Sequence, residues 1–221
     1  MPAQVNAPSR APDRRALLVR AATELFGERA YDEVTTTEIA RRAGVAYGLI
    51  AHHFTNKRGL YLATVRAGAD RLRAMREAPP SGDTRAEQLH DVIDRYIGFV
   101  DRDAALFLSV MRGGQGSDPE VAEIVDRLRW ESTENLLGAF GVTAPLPPLL
   151  RATTRGWIGY LDELIIDHLR HRDVPRAHLV ELAAAALVAA LRTATDLDPH
   201  PAFTPDTLDE LAGLGGLTAR R

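Results

Sequence analysis

The chain contains no cysteine, which excludes disulfide bridges and any metal site built from thiolates. Aromatic residues make up only 6% of its 221 residues, and a single lysine, Lys57, stands among 27 basic residues. The longest apolar run, Leu182 to Leu191, is too short to cross a bilayer. Because residues 1 to 13 contain no apolar run either, no signal peptide is predicted. We therefore expect a cytoplasmic protein without a membrane partner.

The motifs that identify common enzyme classes are also missing. The sequence has no nucleophile elbow, P-loop, dinucleotide-binding glycine pattern or zinc-binding His-Glu motif, so neither an enzyme nor a cofactor is predicted. His168 and His171, with Asp167 beside them, have a spacing that would permit a two-histidine, one-carboxylate metal site. Solvated imidazoles near a helix end are the simpler interpretation, and no metal is predicted.

Apolar residues recur at helical spacing along most of the chain, and no segment has the sustained alternation of a strand. Besides two short helices described below, helices are expected at about residues 16–26, 57–77, 84–100, 104–111, 119–140, 148–170 and 175–195. Clusters of proline or glycine at residues 79–82, 113–116 and 145–148 separate several of them. The sequence therefore predicts an all-α fold.

Residues 35 to 54 have the pattern of two short helices joined by a sharp turn. Thr35 and Glu38 have the spacing of a capping box at the start of the first helix. Gly44 ends that helix, because glycine readily adopts the positive φ of a tight turn. The buried side of the second helix is expected to contain Val45, Ile50 and Phe54. Its outward side is expected to contain Tyr47, Gly48, Leu49, Ala51 and His52.

A further helix begins after Thr55 and Asn56, so Lys57 and Arg58 lie in its first turn. Cations in this position oppose the helix dipole. Their presence is explained if this end of the helix faces a phosphate group. The pattern is that of a helix-turn-helix unit that binds DNA.

The stretch from residue 14 to residue 62 resembles the TetR family of transcriptional regulators. The family pattern combines a first helix, a T-x-x-x-I-A-x-x-A-G-V segment, a recognition helix that ends in an aromatic pair, and a lysine soon after it. In this chain the later part is matched by Thr36, Ile39, Ala40, Ala43, Gly44, Val45, Gly48, Phe54, Lys57 and Leu60. The first helix is matched by Leu18, Ala21, Ala22, Leu25 and Phe26, followed by Ala30 and Tyr31. The resemblance implies an N-terminal three-helix DNA-binding domain and a larger C-terminal helical domain for ligand binding and dimerisation.

Three residues depart from the family pattern. Ala46 stands where Ser or Thr usually caps the recognition helix, a loss that typically costs about 1 kcal/mol. Leu49 and Ala51 replace a common Thr and a Tyr that usually contacts phosphate. The DNA contacts implied for this chain are Thr36, Tyr47, Gly48, Leu49, His52, His53 and Lys57.

Charge is distributed unevenly along the chain. Residues 1 to 76 contain 13 basic and 7 acidic residues, a net charge of +6, which leaves −9 for the remainder of a chain whose net charge is −3. This asymmetry favours a DNA-binding N-terminal end, although a solvated basic face would have the same composition. We expect a flexible arm at residues 1–12, a helix-turn-helix domain at 13–62, and an effector-binding and dimerisation domain at 63–221.

The last long predicted helix is apolar on both sides. One side carries a stripe that includes Leu179, Leu187 and Leu191, and the other side is rich in alanine. Such a helix is either central to one protomer's bundle or shared between two chains. Gly156 and Gly159 of the preceding helix would also allow close approach, and the resemblance favours a homodimer built from these two helices of each chain. The residues expected in the interface are Trp157, Leu161, Leu164, Ala185, Val188 and Ala189.

A regulator of this type also needs an effector site. Aromatic walls with a few polar groups are typical of a small-molecule pocket and equally of an ordinary helical core. The middle helices supply such a set in Tyr96, Phe99, Phe107, Trp130, Glu134, Asn135, Trp157 and Tyr160.

These features and the resemblance predict a regulator that binds a palindromic double-stranded DNA operator as a homodimer and is released by an unidentified small-molecule effector. Repression is the family's common mode, and an activator of the same fold is an alternative. A non-specific architectural DNA-binding protein is another alternative, but such a protein would not need so long an apolar helical domain.

Overall fold

The computed structural model describes residues 13–102, 104–111 and 118–213, and the regular elements in these ranges are helical. The α-helices of this part of the chain are α1 Arg14–Glu28, α2 Thr36–Ala43, α3 Gly48–Phe54, α4 Lys57–Glu77, α5 Arg85–Arg102, α6 Ala104–Ser109, α7 Pro119–Gly138, α8 Pro148–His171, α9 Arg176–Leu197 and α10 Pro205–Leu211. A 3-10 turn, Tyr31–Glu33, lies between α1 and α2. The prediction of an all-α fold is confirmed.

The first three helices pack with the start of α4 around a small core, and we call this group the N-terminal unit. Each helix contributes a side chain that is almost completely buried, namely Leu18, Ile39, Ile50 and Leu60. Helices as short as α2 and α3 are marginal in isolation, so burial of their apolar faces is what keeps them folded.

The long helices α5, α7, α8 and α9 form a second group, the C-terminal bundle, which α10 closes at one side. α9 packs against both α8 and α5, and its inner face buries Leu187 and Leu191 beside Ile93 and Ile97 of α5. Phe203, just before α10, is also fully buried in this core. The bundle therefore has a core of its own.

The two cores meet where α1 crosses α6. Gly27 lies so close to α6 that a Cβ on it would overlap the Cβ and the backbone of Ala105. Val121 and Val125 of α7 are buried in the core of the N-terminal unit rather than in that of the bundle. We call this contact between α1 and α6, with the adjoining start of α7, the seam.

Ion pairs fasten α4 to the start of α7 beside the seam. Arg58 donates hydrogen bonds of 2.7 and 2.9 Å to Asp118 and one of 3.1 Å to Glu120, with which Arg66 also pairs. The hydrogen bond from Arg58 holds the pKa of Asp118 below its usual value. Asp118 also caps α7 by accepting the amide of Glu120 at 3.0 Å, and Pro119 occupies the first helical position.

Most predicted helices have ends within a few residues of those observed, and α4 has the predicted bounds. The 3-10 turn and α10 are absent from the sequence prediction. The sequence does carry a signal for α10, since Thr204 caps it by accepting the amide of Thr207 and Pro205 stands at its first position. The expected arm at residues 1–12 and the glycine cluster at 113–116 lie outside the described residues.

By length and composition alone, α9 is apolar enough to cross a membrane, with a mean hydropathy of 1.5 over an 18-residue window. Its inner face instead packs against α5 and α8, and Leu187 and Leu191 are each only 1% exposed. Core helices of globular proteins often have this composition. We therefore describe α9 as a core helix of the bundle.

Replacement of Gly27 by alanine tests how tight the seam is. Gly27→Ala should destabilise the protein by about 1–3 kcal/mol, because the added methyl group overlaps Ala105 and α1 must move away from α6. In the control Gly138→Ala the new Cβ meets nothing within 4 Å, so stability should rise by up to about 1 kcal/mol. Urea unfolding followed by circular dichroism measures both changes, and equal small effects would contradict a tight seam.

Candidate nucleic-acid interface and ligand cavity

The position of α2 is fixed by its N-terminal cap. Oγ1 of Thr35 accepts the amide of Glu38 at 3.2 Å, and the Glu38 carboxylate accepts the amide and hydroxyl of Thr35 at 2.9 and 2.8 Å. Arg29 donates a further hydrogen bond of 3.0 Å to Glu38. The hydrogen bonds from Thr35, followed by that from Arg29, lower the pKa of Glu38 to about 2. The predicted capping box is confirmed.

The turn between α2 and α3 has the predicted geometry. Gly44 ends α2 in the left-handed conformation, with φ of 65°. No side chain caps the start of α3, in agreement with the missing hydroxyl at Ala46. At the start of α4, Oδ1 of Asn56 accepts the amide of Gly59 at 2.9 Å. Helices α2 and α4, on either side of α3, are therefore capped by side chains, whereas α3 itself is not.

One continuous surface of the N-terminal unit carries the expected contacts of α2 and α3. Tyr47 is 59% exposed, and its hydroxyl lies 3.5 Å from Oγ1 of Thr36. Gly48 and His52 are exposed one turn apart, and the rings of His52 and His53 lie 4.8 Å apart. We call this surface the reading surface and define it as Thr36, Tyr47, Gly48, Leu49, His52 and His53.

Two cations flank the reading surface. Nζ of Lys57 lies 4.2 Å from the centre of the Tyr31 ring, a cation–π contact that holds the lysine half-buried at the start of α4. The guanidinium of Arg15 lies 5.2 Å from the centre of the Phe54 ring at the end of α3. Arg15 is absent from the sequence prediction, although the adjacent pair Arg14 and Arg15 at the start of α1 is a signal for it.

Arg29 and Arg42 of the N-terminal unit are, by contrast, neutralised within the protomer. Arg29 pairs with Glu38 at 3.0 Å, and Arg42 pairs with two glutamates of α1 at 3.2 and 3.3 Å. Among the ion pairs of the described residues, none involves Lys57 or Arg15. Their charge is therefore available to an external anion such as a DNA phosphate.

The C-terminal bundle contains two adjoining cavities. The larger of the two has a volume of about 410 Å³, and we call it the larger cavity. It lies between the end of α4 and helices α5, α7 and α8, and its walls are mainly apolar. Prominent among the lining residues are Leu89, Val92, Ile93, Leu136, Trp157 and Leu161. The Nε1 atom of Trp157 donates a hydrogen bond of 2.8 Å to the carbonyl of Ala183, which fixes the indole between α8 and α9.

A smaller cavity of about 90 Å³ adjoins the larger one, and both are lined by Arg76, Tyr96, Ser132 and Ile158. At this junction the hydroxyl of Tyr96 donates a hydrogen bond of 3.2 Å to Asp162, which also accepts one of 2.8 Å from Arg129. Burial raises the pKa of Asp162 and that of Tyr96. The junction is thus a polar layer across an otherwise apolar interior.

The predicted effector-pocket residues divide into three groups. Tyr96, Asn135 and Trp157 line the larger cavity, whereas Phe99 and Phe107 line the smaller one together with Tyr96. Trp130, Glu134 and Tyr160 line neither of these two cavities. The indole of Trp130 instead contacts Arg155, whose guanidinium lies 5.7 Å from the ring centre, and Tyr160 is 38% exposed.

The residues predicted for a dimer interface are also divided. Ala185 and Ala189 are exposed on α9. Leu161 and Val188 are each only 5% exposed and belong to the core of the protomer, which corrects their assignment to an interface. Trp157 and Leu164 are half-buried and pack against the same core. The reason is which side of α9 faces the core. Ala184 and Val188 lie on its inner face, whereas Leu182 lies on the opposite side and is 49% exposed.

The two histidines near the end of α8 have separate partners. His168 is buried, contrary to the expectation that both rings are solvated, and its Nε2 atom lies 3.5 Å from Asp101. His171 is exposed and its Nδ1 atom lies 3.1 Å from Asp167. Within the described residues, no group of three or more histidine, cysteine or acidic side chains could hold a metal ion.

Two family models match this chain. The model described as "Bacterial regulatory proteins, tetR family" matches residues 18–64, which include the reading surface. The model described as "Tetracyclin repressor-like, C-terminal domain" matches residues 85–190, which include most of the bundle. The chain belongs to the TetR family of transcriptional regulators. It is accordingly a DNA-binding regulator and not an enzyme.

Among curated proteins, the TetR-family chain is similar to the HTH-type transcriptional activator FasR of Mycolicibacterium smegmatis. The two are 30% identical over 111 residues, which are 50% of this chain and 51% of FasR. The match thus spans about half the length of that relative.

Solved structures extend the similarity to the whole fold. A TetR-family transcriptional regulator from Streptomyces coelicolor has a TM-score of 0.75 and 28% identity, over 96% of this chain and 100% of that chain. FadR from Bacillus subtilis, solved in complex with stearoyl-CoA, has a TM-score of 0.63 and 21% identity, over 79% of this chain and 96% of that chain. The likeness to FadR shows a shared fold alone.

Replacement of Lys57 tests whether it contacts phosphate in this TetR-family protein. Lys57→Ala should weaken binding to specific and random DNA by similar factors, because phosphate contacts position a protein without reading sequence. The slope of log K against log salt, measured by fluorescence anisotropy, should fall by about 0.9 per lost contact. Arg127→Ala, which removes an exposed arginine paired with Glu123 on α7, is the control. An unchanged slope in Lys57→Ala would exclude Lys57 from the interface.

Proposed function

We propose that the protein is an effector-responsive regulator that binds a palindromic operator as a homodimer and leaves it when a small molecule occupies the larger cavity. The observation that carries this proposal is the combination, in one chain, of the reading surface with an apolar cavity in a separate bundle. The unbroken helix α4 joins them, since it begins at Lys57 and contributes Met75 and Arg76 to the cavity wall.

The reading surface has the shape and chemistry that suit the major groove of DNA. In helix-turn-helix proteins the residues at the start of the recognition helix reach the base edges. Tyr47 and Gly48 occupy that position in α3, and Tyr47 offers an exposed hydroxyl. Lys57 and Arg15 would lie beside the phosphates on either side. In a dimer, the two α3 helices would enter successive major grooves about 34–36 Å apart.

A homodimer is supported by the unpartnered side of α8 and α9. A Cβ at Gly156 or Gly159 would meet nothing within 4 Å, so packing inside the protomer does not account for either glycine. On α9, Leu182 is 49% exposed, with Ala185 and Ala189 exposed beside it. We call Gly156, Gly159, Leu182, Ala185 and Ala189 the outer face. Small residues on two adjacent helices would let the same helices of a second chain pack closely against them.

The larger cavity has the size expected of an effector site. Small-molecule pockets typically have volumes of about 300–1,000 Å³ and are lined mainly by apolar and aromatic side chains. The cavity of about 410 Å³ fits this description. A ligand shifts a conformational equilibrium only by its different affinity for the two states. An effector would release DNA if it favours a position of α4 that alters the spacing of the two reading surfaces.

Repression by occupancy of the operator is the primary form of this proposal. Activation is a second candidate, because the relative FasR is described as a transcriptional activator. Both modes would use the same reading surface. A reporter gene placed behind the operator would separate them, since loss of the protein raises expression in the first mode and lowers it in the second.

Selection of binding sites from a random DNA library tests the proposal, and Tyr47→Ala shows how sequence is read. The wild-type protein should enrich a palindrome whose half-sites are one helical turn apart. Tyr47→Ala should tolerate base changes that the wild type rejects, because it loses a side chain near the base edges. Enrichment of no defined site would favour a non-specific architectural protein. If Tyr47→Ala weakens every DNA equally, Tyr47 contacts only the backbone.

A charge on the outer face tests the homodimer. Ala185→Glu should give a folded monomer, because a carboxylate buried between two chains without a partner typically costs several kcal/mol. Operator affinity should then collapse, since one half-site supplies only part of the contacts. Ala74→Glu is the matched control, because Ala74 is exposed on α4 away from the outer face. Sedimentation with circular dichroism decides the question, and a helical dimer of Ala185→Glu would refute this interface.

A further inference from the structure

A largely buried arginine, one of whose guanidinium nitrogens has no hydrogen-bond partner, lies at the junction of the two cavities. Arg76, near the end of α4, lines both of them. Its Nη2 atom donates a hydrogen bond to the hydroxyl of Ser132, whereas its Nη1 atom is buried and has no hydrogen-bond partner. Burial lowers the pKa of Arg76. Because arginine stays protonated in proteins, the side chain still places a positive charge in this interior.

The carboxylates near this guanidinium already have other partners. Asp162 accepts hydrogen bonds from Tyr96 and Arg129, and Glu131 accepts two, of 3.0 and 2.9 Å, from Arg73. Among the contacts of the described residues, no carboxylate pairs with Arg76. A buried charge without a counterion is costly and is normally paired. The charge of Arg76 is therefore available to an anion from outside the protein.

The surroundings of Arg76 specify what kind of anion fits. On one side lies the larger cavity, whose apolar wall would hold a hydrocarbon chain. On the other side lies the smaller cavity of about 90 Å³, which leaves room for a compact head group only. A carboxylate matches the planar fork of a guanidinium and accepts two hydrogen bonds from it.

We propose that the larger cavity binds an amphipathic carboxylate whose head group pairs with Arg76 at its inner end and whose hydrocarbon chain extends toward its mouth. This inference rests on the proposed function for the role of the cavity and adds the chemical class of the effector and its orientation.

The arginines at the mouth favour this orientation over the reverse. Arg95 donates hydrogen bonds of 3.1 and 3.0 Å to the carbonyls of Pro79 and Ala78, and Arg85 pairs with Glu210 at 3.1 Å. Nε of Arg95 also lies 3.5 Å from Asp91, so both arginines at the mouth have a carboxylate partner, whereas no carboxylate of the described residues pairs with Arg76. A ligand with a bulky anionic head, such as an acyl-CoA, would have to leave that head at the mouth and would not satisfy Arg76.

Isothermal titration calorimetry on the full-length protein, without DNA, tests the proposal with three ligands of equal chain length. Decanoate should bind more tightly than decanol, which lacks the charge, and more tightly than decanoyl-CoA, whose head does not fit. Arg76→Met should weaken decanoate binding by about 10- to 100-fold, as expected for loss of a hydrogen bond between charged groups, and should leave decanol binding unchanged. Arg85→Met removes a charge at the mouth and tests the reverse orientation, and it should weaken decanoate binding less than Arg76→Met. Arg127→Met, on α7 outside both cavities, is the control and should bind decanoate like the wild type.

Several outcomes would overturn the proposal. Equal affinity for decanoate and decanol, or decanoate binding that Arg76→Met does not weaken, would show that the charge is not recognised. A larger loss in Arg85→Met than in Arg76→Met, or a preference for decanoyl-CoA, would place the head group at the mouth. Absence of binding by all three ligands would exclude this ligand class.

Arg76→Gln, which keeps polarity but not charge, replaces Arg76→Met if circular dichroism shows that the latter is unfolded. Because no DNA is present, these results stand apart from the operator selection that tests the proposed function.

Discussion

The close contact of α1 with α6 at Gly27 and Ala105 is the constraint on which the rest of the arrangement depends. Gly27 allows this contact because it has no side chain. Val121 and Val125 of α7 complete the core of the N-terminal unit beside it. The paired Arg58 and Asp118 fasten α4 beside it. Because close-packed interiors resist small deformations, a shift of the bundle helices here would move the whole N-terminal unit rather than compress the contact.

Helix α4 connects the N-terminal unit to the larger cavity. It has 21 residues and is therefore about 30 Å long, with Lys57 in its first turn and Arg76 in its last. Beside Arg76 the polar layer of Tyr96 and Asp162 crosses an apolar interior, and changes in such a layer are costly because its members must find new partners. A ligand that pairs with Arg76 would therefore act on the same helix that would hold a cation against DNA.

Local patterns were sufficient to predict the elements but not how their faces are oriented. The capping box of Thr35 and Glu38 and the turn at Gly44 depend on neighbouring residues, and both are found as predicted. Val188 shows the limit, because α9 is apolar all round and its composition does not say which side faces the core. The unpaired state of Arg76 is equally invisible in the sequence, since it depends on Asp162 and Glu131 being occupied by other arginines. Aromatic residues such as Trp130 and Tyr160 were poor markers of a cavity, because the sequence does not show which way a side chain faces in the bundle.

The distance between the two N-terminal units of the proposed homodimer can be measured directly. Since the chain has no cysteine, Thr37→Cys gives each protomer a single spin label on an exposed position of α2. Pulsed electron paramagnetic resonance on the DNA-free protein would then report one label-to-label distance. For the proposed homodimer a single narrow distribution is expected, because the seam and the outer face would fix each N-terminal unit relative to its mate. A broad distribution, or no dipolar signal between labels, would contradict it.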